Sequence, residues 1–284
     1  MEKAALDFLP PLRDVIARFD LAAKKGLGQH FLLDLNLTQK IAACAGDLEG
    51  RTVFEIGPGP GGLTRALLAT DARKIIAIEK DRRCVAALAD LVKIAEGRLG
   101  VIEGDALKLD LAKLGEAPRA VVANLPYNIG TELLLGWLRQ IESYESLTLM
   151  FQAEVADRLA AEPGGKTYGR PSVITQFCCN VERMLDIPAR AFTPPPKVNS
   201  AVVRLAPRKR PADVSFAMIE KVTAAAFGQR RKMLRSSLKP LGGEELLKRA
   251  GIDPTLRAEN LSVGEFEKLA SSIQALRENR HNQA

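Results

Sequence analysis

The sequence predicts an α/β protein, a mostly parallel sheet flanked by helices, with a small all-α region at its C-terminal end. Three observations carry this expectation. Short β-branched runs alternate with helix-spaced stretches from about residue 51. The runs are apolar on both faces, as strands covered on both sides are. Beyond residue 208 strands give way to helical periodicity with capping signals. Strand-helix alternation implies parallel pairing through right-handed crossovers.

The elements follow in order. TVFEIG (52–57), KIIAIE (74–79), LGVIEGD (99–105), AVVANL (120–125) and SLTLMFQ (146–152) read as strands. GLTRALLAT, RRCVAALADLVKIAE and GTELLLGWLRQIE, lying between them, space their apolar residues as helices do. EPGGKTYGRP (162–171) is a loop by composition. VERMLDIP and NSAVVRL (199–205) read as two further strands around RAFTPPPKV, whose three prolines exclude regular structure. APRKRPAD (206–213) is a charged linker. AAAFGQRRKMLRSSLK then reads as a helix with Phe227, Leu234 and Leu238 near one face and Arg231, Arg235 and Lys239 on another. Asp253-Pro254 and Ser262 mark further helix starts.

The 284 residues allow one large domain, or a domain of about 200 residues with a smaller one attached. No apolar run reaches the length that spans a bilayer. The start, MEKAALDFLPPLRD, lacks the basic-apolar-small pattern of a secretory signal, so a cytoplasmic protein is expected. Cys44, Cys84, Cys178 and Cys179 form no C-x-x-C pair, and His30 and His281 are the only histidines. No zinc-ligand spacing results; no metal is expected, and the cysteines read as reduced packing thiols. The net charge is +7, and from Arg208 onward the chain carries 15 Lys/Arg against 9 Asp/Glu. Nearly all the excess therefore lies in the last quarter, where it suits a phosphate backbone.

EIGPGPGGLT follows the first strand and opens a helix, with Gly57, Gly59 and Gly62 in G-x-G-x-x-G spacing. Missing side chains let backbone approach a ligand, and Glu79 at the next strand end can accept from two ribose hydroxyls. That much also fits a nicotinamide-dinucleotide site. Glu55, two residues before the first glycine, and Asp105, ending a third strand, shift the balance. Glycine turn, ribose acceptor and adenine-amine acceptor lie at successive strand ends of one crevice and outline an adenosyl group. The carboxylates suit a sulfonium cation better than a pyrophosphate.

The fourth strand ends in Asn124-Leu125-Pro126-Tyr127, beside the same crevice. Methylation of an exocyclic base amine needs such a set. The adenine N6 lone pair is delocalised into the ring. Acceptors aimed at both N6 hydrogens, the Asn124 side-chain oxygen and the Leu125 carbonyl, favour a pyramidal and more nucleophilic nitrogen. Pro126 rigidifies the turn, and Tyr127 offers a flat face to an unstacked base.

Together these residues resemble a known family. N-L-P-Y after an E-x-G-x-G-x-G strand is similar to the amino-methyltransferases of nucleic acids, and most closely to the KsgA-type ribosomal RNA adenine dimethyltransferases. KKGLGQHFL (24–32), FEIGPGPGGLT, AIEKD (77–81), EGDAL (103–107), NLPYNI (124–129), FTPPPKVNSAVVRL (192–205) and FGQRRKMLRSSL (227–238) carry the resemblance in order. Erythromycin-resistance methyltransferases share most of the catalytic half. The resemblance implies a Rossmann-like seven-stranded sheet of the class I methyltransferase type, its last strand antiparallel, followed by a small helical domain. The expected bounds are 1–23 for an N-terminal extension with room for a short helix, 24–207 for the methyltransferase domain and 208–284 for a helical RNA-docking domain.

It also implies roles and partners. The cofactor is S-adenosylmethionine, held by His30, Leu32, Gly57, Gly59, Glu79, Asp105 and Asn124. Asn124, Leu125, Pro126 and Tyr127 receive the target amine, and Phe192 closes the other face of the base. Many members carry Asn where His30 stands. The implied reaction is N6,N6-dimethylation of two adjacent adenosines in the 3′-terminal hairpin loop of 16S ribosomal RNA in the small subunit; nothing in the sequence demands more than a monomer. Lys24, Lys25, Arg230, Arg231, Lys232 and Arg235 are the candidates for phosphate contacts. Two other readings remain at this stage: a non-catalytic RNA-binding assembly or transcription factor on the same fold, and a nicotinamide dehydrogenase. The dehydrogenase lacks an obvious hydride-site His or Tyr-Lys pair.

Overall fold

The structure, a computed structural model, describes residue 6 and residues 9–21, 29–229 and 231–281, with backbone alone for 276–281. The chain divides into two compact units, Met1–Ala156 with Glu182–Pro207 and Asp157–Val181 with Arg208–Ala284.

The first unit is built on the expected sheet. Its strands are β2 (Thr52–Ile56), β3 (Lys74–Glu79), β4 (Leu99–Glu103), β5 (Arg119–Asn124), β6 (Ser146–Gln152), β7 (Cys179–Ile187) and β9 (Ser200–Pro207). The seven-stranded order is β4-β3-β2-β5-β6-β9-β7. β2 pairs parallel with both β3 and β5, β3 with β4 and β5 with β6, whereas β9 runs antiparallel to β6 with Met150 opposite Val202. The chain thus moves outward from β2 to β4 and returns to β5 on the other side of β2. That reversal opens a crevice at the carboxyl ends of β2 and β5, where open α/β sheets place their ligands. β2 is buried along its whole length, which accounts for a strand apolar on both faces except at Thr52 and Glu55.

A second, two-stranded sheet pairs β1 (Phe31–Leu32) with β8 (Phe192–Thr193), setting Phe31 against Thr193 and Leu32 against Phe192. The flanking helices are α1 (Leu12–Arg18), α2 (Leu35–Ala43), α3 (Gly62–Leu68), α4 (Arg82–Ala87), α5 (Ala89–Ile94) and α6 (Gly130–Leu138). Asp34 and Asp81 cap α2 and α4 by accepting backbone N–H groups of the first turn. The extension supplies α1, whose Val15 joins Leu21, Phe31, Cys84 and Ala87 in a small cluster.

The second unit is helical and larger at its start than the sequence suggests. α7 (Ala153–Leu159) leads into it, and α8 (Arg170–Cys178) forms where no helix was read. The glycine-rich loop before α8 belongs to this unit. Gly164 N–H donates to the Glu259 carbonyl at 2.7 Å, and the buried Tyr168 hydroxyl donates to the Leu261 carbonyl at 2.9 Å. Tyr168, Phe227 and Phe266 make an aromatic column, Phe227 and Phe266 stacking at 5.6 Å. α9 (Phe216–Phe227), α10 (Leu234–Ser237), α11 (Gly243–Ala250) and α12 (Val263–His281) complete it. The single helix read across AAAFGQRRKMLRSSLK is two. α9 stops at Gly228, and the N–H groups of Leu234 and Arg235 donate to Leu256 and Pro254 carbonyls instead of continuing the ladder. Arg231 and Arg235 therefore do not share one helical face.

Candidate active site

A cavity of about 180 Å³ lies at the switch point. His30, Leu32, Gly57, Gly59, Glu79 and Asp105 all line it, and so do Asn124, Leu125, Pro126 and Tyr127. The nitrogen-bearing end of β5 and the glycine turn after β2 are close neighbours: a Cβ on Gly57 would sit 3.8 Å from the Pro126 ring.

The glycine turn is shaped by what it must pass. Gly59 has φ +56°, and a Cβ there would meet the Phe31 ring at 3.0 Å, so both conformation and space call for glycine. Its N–H donates to Glu79 Oε2 at 3.1 Å, and Asp81 N–H donates to Glu79 Oε1 at 2.8 Å. Glu79 is thereby fixed at the end of β3 with lone pairs to spare on both oxygens, an arrangement suited to two ribose hydroxyls. Burial raises its pKa above the ordinary carboxylate value, and the backbone donors oppose that shift.

Asp105 caps the short turn Ala106–Lys108 through Leu107 N–H and pairs with Lys80 Nζ at 2.9 Å. The ion pair, with the Leu107 bond behind it, holds the Asp105 carboxyl below its usual range. Lys80 also lines the cavity, a residue the sequence reading passed over because it belongs to neither glycine nor acid pattern.

Glu55 is 1% exposed, and its Oε2 has no hydrogen-bond partner. Burial, reinforced by the Glu79 charge, pushes its pKa up to about 8. A carboxyl in that condition keeps its proton near neutral pH; a cation in the cavity would favour its ionised form, and it gives an anionic phosphate nothing to bind.

At the far wall Asn124 Nδ2 donates to the His30 carbonyl at 3.2 Å, which fixes the amide and leaves Oδ1 as an acceptor. The Pro126 carbonyl already receives Ile129 and Gly130 N–H groups at the start of α6, whereas no bond to the Leu125 carbonyl occurs among the described residues. Two acceptors are thus available, on Asn124 and Leu125. The Tyr127 hydroxyl and Ser200 Oγ are 2.5 Å apart, an anchor from β9 that holds the ring.

Phe192 is placed differently from the expectation. It is 2% exposed, packed in the main core cluster, and absent from the cavity wall. Its ring has the His30 imidazole at its edge instead of open space, with centroids 6.4 Å apart. Among the basic candidates, Arg231, Lys232 and Arg235 are exposed on the second unit. Lys24, Lys25 and Arg230 lie outside the described residues. Among the described residues no cluster of His, Cys, Asp and Glu could hold a metal ion, and no helix is long and apolar enough to cross a membrane.

Comparison with known proteins agrees with this geometry. The family profile described as Ribosomal RNA adenine dimethylase matches residues 21–275. The Ribosomal RNA small subunit methyltransferase A of Rhodospirillum rubrum is 59% identical over 271 residues, covering 95% of this chain and 94% of its own. Among solved structures, a dimethyladenosine transferase from Plasmodium falciparum superposes with a TM-score of 0.76 at 26% identity, over 89% of this chain and 98% of that one. The 23S rRNA methyltransferase ErmE gives 0.66 at 25% identity, over 86% and 99%. A resemblance carried by seven short segments thus extends along nearly the whole length, and the chain belongs to the ribosomal RNA adenine dimethylase family.

Proposed function

We propose that this chain is an rRNA adenine N6,N6-dimethyltransferase acting on two adjacent adenosines in the 3′-terminal hairpin loop of small-subunit (16S) ribosomal RNA during ribosome biogenesis. The observation that carries the reading is the shared cavity. Asn124, oriented by the His30 carbonyl, opens onto the same space as the glycine turn and Glu79. The cofactor would be S-adenosylmethionine, which supplies a methyl group activated on a sulfonium.

The fit rests on the residues themselves. Glu79 keeps acceptor capacity for ribose hydroxyls, Asp105 keeps it for an adenine amine beside Lys80, and Glu55, which holds a proton near neutral pH, would release it once a cation lay beside it. For the substrate, Asn124 Oδ1 and the Leu125 carbonyl accept the two N6 hydrogens and draw the lone pair out of the ring. Tyr127, anchored on Ser200, carries the flat face of an unstacked base. No strong general base is needed, because the amine becomes acidic as it is alkylated. Residues 208–284 would dock the RNA through Arg231, Lys232 and Arg235, together with Lys24, Lys25 and Arg230. Residues 24–207 would hold the catalytic machinery, and 1–23 would be an extension to it.

Incubation with labelled cofactor and under-methylated small ribosomal subunits tests the reading. Label should appear in dimethyladenosine, and label on protein or a small molecule would reject it. Asn124→Ala should lower transfer by about a hundredfold or more, with a smaller loss of cofactor affinity. Wild-type turnover in that variant would remove Asn124 from the chemistry.

A further inference from the structure

The rings of Tyr127 and Phe192 are not bare. The His30 imidazole stacks on Tyr127 with centroids 5.4 Å apart and planes at 29°. It meets Phe192 edge-on at 6.4 Å and 78°. Its Nδ1 lies 2.8 Å from the Pro194 carbonyl oxygen. A carbonyl only accepts, so Nδ1 carries the proton and donates. The first two are contacts an unstacked adenine would use, an aromatic face and an aromatic neighbour, whereas the bond to the Pro194 carbonyl belongs to the imidazole alone.

We propose that His30 is a place-holder for the target base, filling the aromatic slot with an imidazole until an extruded adenine displaces it. The inference rests on the functional reading above and adds a specificity-determining residue to it. Phe192 packs in the main core cluster, and its ring also neighbours the imidazole. Withdrawing the imidazole would free the space it fills between Tyr127 and Phe192, the pair that the sequence implies as a clamp.

The backbone need not move for this exchange. The His30 carbonyl is held by Asn124 Nδ2, and the next residue, Phe31, is paired with Thr193. Rotation about the His30 side-chain bonds withdraws the ring while Asn124 stays oriented for the incoming amine. Displacement selects for the right occupant. A ring must replace the stacking contact on Tyr127 before it enters, which a flat aromatic base does, while its N6 hydrogens go to Asn124 Oδ1 and the Leu125 carbonyl.

With two histidines in the chain, His30 and His281, the imidazole resonances are assigned by one variant, His281→Gln. In the free protein the His30 carbon-bound protons should lie upfield, shifted by the Tyr127 ring, and Tyr127→Leu should abolish that shift. Titration with a hairpin RNA carrying two adjacent adenosines, in the presence of S-adenosylhomocysteine, should move them to the position of a solvent-exposed imidazole. Adenosine monophosphate at millimolar concentration should do the same without RNA docking. A hairpin that takes up label from S-adenosylmethionine while the His30 resonances keep their shifted position overturns the place-holder. A hairpin that takes up no label, with adenosine monophosphate still displacing the ring, leaves the place-holder standing and counts against the functional reading.

Discussion

Glu55 sits on the strand that opens the glycine turn, nearly fully buried and with one oxygen unsatisfied. Its folded pKa of about 8 lies above the ordinary 4.5. Between those values the native state holds a proton that the unfolded chain has lost, so stability falls as pH rises through the interval, by about 1.4 kcal/mol per unit. Glu55→Gln removes the ionisation while keeping the shape. Thermal unfolding of both proteins from pH 5 to pH 8, without ligand, should show the Gln variant gaining on wild type as pH rises. A constant gap would mean that Glu55 is ionised throughout. The residues that sequence revealed share one property: Gly57, Glu79, Asp105 and Asn124 stand at carboxyl ends of strands, which parallel pairing brings to one edge. Their supports carry no such signal. Lys80 on Asp105 and Ser200 on Tyr127 join positions 25 and 73 residues apart, with nothing periodic between them.

At the level of elements, the glycine turn and the β1–β8 ladder act as one part. Phe31 lies where a Gly59 side chain would be, and its neighbour Leu32 is paired with Phe192. Gly59→Ala therefore strains the turn twice, by about 1–2 kcal/mol for the left-handed conformation and by a further amount of about 1–3 kcal/mol for pushing on the Phe31 ring. The variant should melt several degrees lower and bind S-adenosylhomocysteine more weakly, both measurable by calorimetry. An Ala variant that binds as wild type would show that Phe31 yields freely. The sheet was legible because buried parallel strands are short and apolar on both faces. Two helical features were not. α8 is almost wholly buried, so no polar face marks it as a helix. The break after Phe227 comes from Pro254 and Leu256 capturing the N–H groups of Arg235 and Leu234, a contact between segments some 20 residues apart that helical periodicity cannot report.

Over the whole molecule, charge is sorted by unit. The net +7 is concentrated beyond Arg208, while the cavity wall holds Glu79 and Asp105. Negative carboxylates beside a cationic cofactor would repel a phosphate backbone, so affinity for RNA has to come from elsewhere on the chain. Exposed Arg231, Lys232 and Arg235 can supply it by displacing counterions from the RNA. Each phosphate contact contributes about one unit to the slope of log affinity against log salt. Replacing all three with Gln should reduce the slope for hairpin RNA by about 2–3 and weaken binding most at low salt, with S-adenosylhomocysteine affinity unchanged because the cavity is untouched. Filter binding across a salt series, with calorimetry of the cofactor product alongside, reads both quantities. A slope equal to that of wild type would move the docking surface off these residues and onto basic groups elsewhere in the chain.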